Sequence, residues 1–166
     1  MLKNMIKIRK ATLNDLKEIT DIYNEAILKT VATFDTEIKS LDEQKIWFDT
    51  HGAKNPILVA EQNEIVIGWA SLSQWSDRCA YSDTAEISLY VKSKYQGKGI
   101  GKKLIVSILK EGKKVGLHAI IARITQGNKL SVRLHKKFGF KQIGVMKEVG
   151  QKFGKRLDVY LMEKIY

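Results

Sequence analysis

Gln96-Gly97-Lys98-Gly99-Ile100-Gly101 is the segment of this sequence that indicates its architecture most strongly. It follows residues 84–91, in which polar and apolar side chains alternate, and precedes a run with apolar residues at helical spacing. A glycine loop between a strand and a helix favours an anion site, because the backbone can approach closely and free N–H groups face the ligand. The alternative is an ordinary glycine-rich turn, so the surrounding sequence has to decide.

Two better-known phosphate-binding patterns do not fit these glycines. A P-loop would need a glycine at Gln96 and a serine or threonine at Lys103 around Gly101-Lys102. The dinucleotide pattern Gly-x-Gly-x-x-Gly would need a glycine at position 102, which is a lysine here. The pattern that does fit is Gln-x-x-Gly-x-Gly, placed directly after a predicted strand.

Composition predicts one domain, spanning residues 1–166, because a chain of 166 residues that is 44% hydrophobic is long enough for one core and short for two. Cys79 is the only cysteine, and together with the three histidines it shows no metal-ligand spacing. No segment has the apolar core of a signal peptide or the ~20 apolar residues of a membrane helix. We therefore expect a cytoplasmic protein with no metal site.

The formal net charge of +11 raises the alternative of a basic nucleic-acid-binding module. The lysines are spread along the chain, however, and lack the interleaved aromatic residues that base stacking favours. The densest basic clusters flank the glycine loop, where a small polyanionic ligand explains them equally well. They are Lys92, Lys94, Lys98, Lys102 and Lys103, followed by Lys129, Arg133, Lys136 and Lys137. Nucleic acid is therefore the disfavoured partner.

Capping signals and periodicity predict the elements of the N-terminal half. Thr12 and Asp15 are spaced to begin a first helix, and Ser40 with Glu43 forms a capping box for a second. We expect the second helix to turn Ile46, Trp47 and Phe48 inward. The loop between the helices, residues 30–39, carries apolar side chains that line a pocket or pack over the core.

The predicted order of elements is β-α-α-β-β-β-α-β-α-β-β, an α/β fold with helices flanking a mixed, largely antiparallel sheet. Within the strand 84–91, one face is apolar and the other is formed by Glu86, Ser88 and Tyr90. Polar groups on that second face need solvent or a ligand. The remaining predicted strands cover 6–9, 56–61, 64–72 and 118–124 and two in 141–166, and the later helices 100–116 and 128–138.

In this setting, residues 96–101 resemble the signature (Gln/Arg)-x-x-Gly-x-(Gly/Ala) of the GNAT superfamily of acyl-CoA-dependent N-acetyltransferases. Residues 128–131 and 134–140 are similar to the second conserved helix of that superfamily and its Gly-Phe ending. Over nearly its full length the chain resembles the phosphinothricin acetyltransferase and L-amino acid N-acyltransferase branch. The matching stretches are residues 22–26, 33–35, 47–48, 68–72, 78, 81, 86, 90–91, 96–101 and 149–159.

The resemblance implies a GNAT fold that transfers acetyl directly from acetyl-CoA to the α-amino group of a small amino acid or analogue, such as phosphinothricin or methionine sulfoximine. It implies that the backbone of Leu89, Tyr90 and Val91 pairs with the pantetheine arm, with one N–H polarising the thioester carbonyl. Asn128 either contacts pantetheine or caps its helix, and Ser131 is a further cofactor contact. The N–H groups expected to hold the pyrophosphate belong to Gly97, Lys98, Gly99, Ile100, Gly101 and Lys102, and Gln96 is a further expected cofactor contact.

Acetyl transfer requires a neutral amine, which is costly for a lysine-like group. At pH 7, deprotonating an amine of pKa ~10.4 costs ~4.6 kcal/mol, whereas an α-amino group near ~8 costs ~1.4 kcal/mol. Glu86, on the polar strand face, is the candidate base, acting directly or through water. The alternative is a structural carboxylate that anchors a neighbouring basic side chain.

His135 is the second catalytic candidate. Many superfamily members have a tyrosine at this place, whose hydroxyl can protonate the departing thiolate, and a histidine can act as an acid near neutral pH. The alternative is a structural histidine on a partly apolar helix face.

The acceptor pocket is expected to involve Phe34, Trp75, Arg78, Tyr81, Val149 and Lys152. Arg78 could hold a substrate carboxylate through two hydrogen bonds, or form a surface ion pair. Resemblance to the branch also implies a homodimer with the tail strands near the partner's site. A polyamine or a protein N-terminus is the alternative acceptor; acidic residues lining the pocket would favour the first, and an open groove the second.

Overall fold

The computed structural model describes residues 5–166, and its backbone forms one seven-stranded sheet with four α-helices. The strands lie in the order β1-β2-β3-β4-β5-β7-β6. They are β1 (Lys7–Lys10), β2 (Ile57–Gln62), β3 (Ile65–Gln74), β4 (Thr84–Val91), β5 (Ala119–Thr125), β6 (Lys141–Lys152) and β7 (Lys155–Ile165). The helices are α1 (Leu16–Lys29), α2 (Leu41–Asp49), α3 (Ile100–Lys114) and α4 (Lys129–Lys137).

The sheet is mixed because one neighbouring pair, β4 and β5, is parallel while the other pairs are antiparallel. The parallel pair follows from its connection: α3 carries the chain back across the sheet between the two strands, as a crossover requires. The predicted element order and the mixed sheet are therefore confirmed.

Successive residues of the central strands pack into two different apolar clusters, which shows that both faces of the sheet are covered. On β3, Ala70 and Leu72 pack with α3, whereas Trp69 packs with α1 and α2. On β2, Leu58 and Val59 divide in the same way. Helix α3 thus covers one face, and helices α1 and α2 cover the other.

Both predicted capping interactions are present at the helix starts. Asp15 accepts a hydrogen bond of 2.8 Å from the backbone N–H of Thr12 in the short helical turn that precedes α1. At α2, Glu43 accepts one of 2.8 Å from the Ser40 N–H, and the Ser40 hydroxyl accepts one of 3.2 Å from the Glu43 N–H. Each pair satisfies backbone donors that lack a partner inside the helix.

The prediction that Ile46 points inward is wrong, since its side chain is 68% exposed. The buried face of α2 is formed instead by Gln44, Trp47 and Phe48, which are spaced at i, i+3 and i+4. Position 46 lies outside that stripe although it is apolar. Of the helices in residues 5–166, none combines the length and the apolar character needed to cross a membrane.

Candidate active site

The central feature of the site is a gap between the two parallel strands. Strands β4 and β5 pair only at their beginning, from Thr84 with Ala119 to Glu86 with Ile121, and then diverge. On its other side, β4 stays paired with β3 as far as Val91. The second half of β4 therefore borders an opening in the middle of the sheet.

Hydrogen-bond alternation decides which backbone groups of β4 face this gap. Lys92 donates to Ile67 across β3, and Trp75 donates to Thr84, so even-numbered residues of β4 bond to β3. The backbone groups of Leu89 and Val91 consequently face the gap, as predicted for pairing with an extended arm. Those of Tyr90 face Trp69 on β3, so Tyr90 reaches the site through its ring.

A cavity of about 570 Å³ fills the gap and the adjoining surface. Its volume is within the range typical of small-molecule sites. Both diverging strands line it, together with the loop between α1 and α2, helix α4 and the tail strands. The lining includes Ala32, Thr33, Phe34, Asp35, Glu86, Ser88, Leu89, Tyr90, Arg123, Asn128, Ser131, His135, Met146 and Val149.

Glu86 lies in this cavity with both carboxylate oxygens bound to Arg123. The Arg123 Nε and Nη2 atoms donate to them at 2.6 and 2.8 Å, and the Glu86 side chain is 21% exposed. The guanidinium also lies 5.9 Å from the centre of the Trp75 ring. This arrangement fits a structural carboxylate that anchors a basic side chain. The same two hydrogen bonds also fix the orientation that a carboxylate base on the polar face of β4 would need.

The glycine loop has the backbone geometry that requires glycine. Gly97 and Gly99 have φ of 74° and 80°, a left-handed conformation that other residues adopt with strain. Gly99 is the N-cap of α3, and the next residue, Ile100, is buried and fixes the helix start in the core. The Gln96 side chain donates to the Val91 carbonyl at 3.1 Å, linking the loop to the end of β4. Lys98 and Lys102 are exposed on either side of the start of α3.

On α4, the structure favours the structural roles of two predicted residues. The Asn128 side chain accepts a hydrogen bond of 3.2 Å from the Ser131 N–H and thereby caps the helix. His135 is 5% exposed, and its Nδ1 lies 2.8 Å from the Ser131 carbonyl oxygen. Since that oxygen only accepts, Nδ1 carries the proton and the neutral ring leaves Nε2 as an acceptor. Burial lowers the pKa of His135.

Because His135 is buried, we expect acid to destabilise the protein. With a folded pKa below the unfolded value near 6.5, the unfolded state binds the proton first as pH falls, so stability is lost below about pH 6.5. When the pH falls from 7.5 to 5.5, we expect the free energy of unfolding of His135→Asn to decrease by about 1 kcal/mol less than that of the wild type. Urea unfolding at both pH values measures this difference. The control is His118→Asn, because His118 is exposed and its variant should lose as much stability as the wild type. If His135→Asn also loses as much stability as the wild type, the expectation is wrong.

The loop between α1 and α2 is held over the cavity from both ends. Asn24 on α1 binds both backbone groups of Lys39, with hydrogen bonds of 2.8 and 2.9 Å. The Tyr23 hydroxyl donates to Asp35 at 2.6 Å. Burial of the ring raises the pKa of Tyr23 most, and this hydrogen bond raises it further. The loop therefore has a defined conformation.

The tail strands reach this loop and close one wall of the site. The buried Lys152 on β6 donates to the Thr33 carbonyl at 2.8 Å, and its burial lowers the pKa of the ammonium group. The Phe34 ring lies against Gly150, where a Cβ atom would overlap it. Val149 lines the cavity beside them.

Four of the predicted substrate residues lie outside the cavity lining, and one of them, Lys152, contacts the loop that lines it. Trp75 is linked to it only through Arg123, and Arg78 and Tyr81 are exposed on the connection between β3 and β4. Arg123, Tyr23 and Asp35 also line the cavity, although they were not predicted as site residues. The first of these had a usable signal, because a lone arginine interrupts the otherwise apolar run of β5.

The chain is similar to characterised acetyltransferases over most of its length. A family profile described as the acetyltransferase (GNAT) domain matches residues 8–161. The L-amino acid N-acyltransferase MnaT of Escherichia coli is 36% identical over 159 residues, 95% of this chain and 92% of that protein. The L-methionine sulfoximine/L-methionine sulfone acetyltransferase of Salmonella typhimurium is 37% identical over 157 residues, 94% of this chain and 92% of that protein.

A solved structure with the same fold contains acetyl-CoA. The crystal structure of a phosphinothricin acetyltransferase from Sinorhizobium meliloti in complex with acetyl-CoA matches with a TM-score of 0.93 at 35% identity, covering 96% of this chain and 88% of that one. The gap beside β4 and the left-handed glycines before α3 suit the extended arm and the pyrophosphate of this cosubstrate. The chain belongs to the GNAT acetyltransferase family, and it is an acetyl-CoA-dependent N-acetyltransferase.

Proposed function

We propose that this enzyme acetylates the α-amino group of a small amino acid or analogue, of the methionine sulfoximine or phosphinothricin type. The observation that carries the proposal is the arrangement of the main cavity, in which Glu86 and the Phe34 loop lie beside the gap that the backbone of Leu89 borders. The names of the relatives, which describe acetylation of amino acids and their analogues, support the same acceptor class.

In the proposed reaction, the neutral amine attacks the thioester carbonyl carbon, a C–N bond forms and the C–S bond breaks. The amine loses one proton, which Glu86 accepts directly or through water, and the sulfur leaves as the coenzyme A thiolate. A backbone N–H of Leu89 or Val91 would polarise the carbonyl oxygen. For His135, the neutral ring with its proton on Nδ1 supports a positioning role more than proton donation to the thiolate.

Charge pairing in the cavity favours an amino acid over a polyamine. Two carboxylates line the cavity, but Glu86 is bound by Arg123, and Asp35 lies 3.6 Å from the Lys39 ammonium group. A polyamine with several positive charges would need unpaired carboxylates at intervals. Arg78 stays a candidate for the substrate carboxylate, from an exposed connection that would have to move towards the cavity.

The test is a thiol-release assay with acetyl-CoA and a panel of amines. The panel comprises proteinogenic amino acids, methionine sulfoximine, phosphinothricin, spermidine and short peptides. We expect release above the amine-free rate with amino acids or the two analogues. Release confined to spermidine or to peptides would replace the proposed acceptor class.

We further propose a cytoplasmic homodimer. The edge strand β6 carries the exposed apolar side chains of Ile143, Val145 and Val149, and the turn that follows it carries the exposed Phe153, which suits burial against a second copy. The exposed thiol of Cys79 suits a reducing compartment. Sedimentation equilibrium reports the assembly, and a monomer at micromolar concentration would contradict it.

A further inference from the structure

The hairpin formed by β6 and β7 contains a bulge directly beside the main cavity. The ladder changes register between Met146 and Gly150, where residues 147–149 of β6 lie opposite Asp158 alone. Glu148, in the middle of the bulge, has φ of 50°, a left-handed conformation that is unfavourable for a residue with a side chain. Bulges are frequent next to active sites, where they redirect side chains. This bulge therefore needs contacts that hold it in place.

Asp158 on β7 supplies these contacts. Its carboxylate accepts a hydrogen bond of 2.9 Å from the Glu148 backbone N–H and a second one of 2.9 Å from the Lys147 ammonium group. The backbone of Asp158 is itself bound to Gln126, which directly follows β5. The Gln126 N–H donates to the Asp158 carbonyl at 2.8 Å, and the Asp158 N–H donates to the Gln126 side-chain oxygen at 3.1 Å. The bulge is thus attached through Asp158 to the end of β5.

The bulge places two residues against the cavity. Val149, its last residue, lines the main cavity, and Gly150, the next residue, lies against the Phe34 ring. A Cβ atom at position 150 would overlap this ring, so the ring keeps its place only beside a glycine. If the register of the first half of β6 continued, Glu148 would take this place opposite Leu157. The position of the Phe34 ring therefore depends on the bulge.

Two consecutive residues of the loop between α1 and α2 rest on this hairpin. Phe34 contacts Gly150, and the Thr33 carbonyl accepts a hydrogen bond of 2.8 Å from the buried Lys152. Both loop residues line the main cavity, as does Glu86. A movement of the hairpin consequently moves the wall on the side of the candidate base. The glycine loop before α3 belongs to a different part of the chain, so its geometry should be unaffected.

We propose that Asp158 is a positioning residue for the acceptor amine. By holding the bulge of β6, it fixes Val149 and the Phe34 ring in the wall of the acceptor pocket, and it does so without contacting the acceptor. The proposal rests on the proposed function for the location of the acceptor beside Glu86. A wall that becomes mobile weakens acceptor binding, because the acceptor then has to order it.

The test compares Asp158→Ala with two variants that separate the bulge from the ion pair. Alanine removes both hydrogen bonds of the carboxylate. Asp158→Asn keeps an oxygen that can accept the Glu148 N–H, and Lys147→Met removes only the ion pair of a side chain that is 76% exposed. The measured quantities are the KM for the acceptor and the KM for acetyl-CoA. The acceptor is the amine of the thiol-release panel with the highest kcat/KM, so the test does not depend on its class.

We expect Asp158→Ala to raise the KM for the acceptor about tenfold and to leave the KM for acetyl-CoA within a few-fold of the wild type. Asp158→Asn and Lys147→Met should keep both values. Gly150→Ala should reproduce the effect of Asp158→Ala by a second route, because its Cβ displaces the Phe34 ring directly. Thermal unfolding checks that each variant folds, and Asp158→Ser is the second substitution should Asp158→Ala not fold.

An unchanged KM for the acceptor in the folded Asp158→Ala or Asp158→Ser variant would overturn the proposal. Equal rises of both KM values, or an equal effect of either control variant, would also overturn it, since the cause would then be general destabilisation or the ion pair. Acetylation of spermidine or peptides in place of amino acids would instead overturn the proposed acceptor class. In that case the same KM comparison, made with the amine found, still decides the role of Asp158.

Discussion

Glu86→Gln is expected to lower kcat at pH 7 by about 10²- to 10³-fold, while the KM for acetyl-CoA stays within a few-fold of the wild type. Glutamine keeps the size of the side chain but cannot accept a proton, and a positioned general base typically contributes 10²–10⁴-fold. At pH 7 most of an α-amino group with a pKa near ~8 is protonated. The deficit of the variant should therefore shrink as pH rises towards 9, where solvent has already deprotonated the amine. Steady-state kinetics from pH 6.5 to 9 measures both effects.

Arg123→Gln separates the two possible roles of Glu86. If the carboxylate serves only to anchor the guanidinium, removing either partner of the pair has the same consequence. If the carboxylate accepts the proton, Arg123→Gln keeps the base and loses less than Glu86→Gln. Near-full turnover of Glu86→Gln across the pH range would remove Glu86 from the mechanism. Equal losses in both variants, with no recovery at high pH, would assign it the anchoring role.

Those parts of the molecule that depend on local patterns could be predicted from the sequence. The strand of residues 84–91 alternates strictly, so its boundaries and both faces were predictable, including the core position of Ala85 and the cavity position of Glu86. The capping box at Ser40 and the glycine loop are likewise short patterns with their own geometry. In each case the interacting residues lie within a few positions of one another.

Features set by the pairing of distant segments could not be predicted in this way. Arg123 faces Glu86 because of the parallel register between β4 and β5. That register pairs Glu86 with Ile121, which precedes Arg123 by two positions on the same face of β5. No pattern inside either strand specifies that register. The burial of Gln44 likewise depends on a distant segment. Helix α2 is short, and its sequence is equally compatible with a buried face that contains Ile46 and one that contains Trp47. Which stripe is buried depends on where the helix docks against β3.

Gly99→Val is expected to raise the KM for acetyl-CoA by about 10- to 100-fold and to lower stability by about 1–3 kcal/mol. Gly99 has φ of 80° and nothing lies within 4 Å of the position that a Cβ would take, so the cost is conformational and not steric. A β-branched residue is especially unfavourable there. The chain can relieve the strain by rotating the loop, which turns the N–H groups of the first turn of α3 away from the pyrophosphate.

Gly116→Val is the matched control, because it imposes the same strain at the opposite end of the same helix. Gly116 has φ of 85°, again with nothing within 4 Å of a Cβ, and it follows the last turn of α3 away from the site. Both variants should therefore lose similar stability in urea unfolding, whereas only Gly99→Val should raise the KM for acetyl-CoA. If the two variants raise KM equally, the effect comes from general destabilisation of α3. If neither does, the glycine loop does not orient the groups that bind the pyrophosphate.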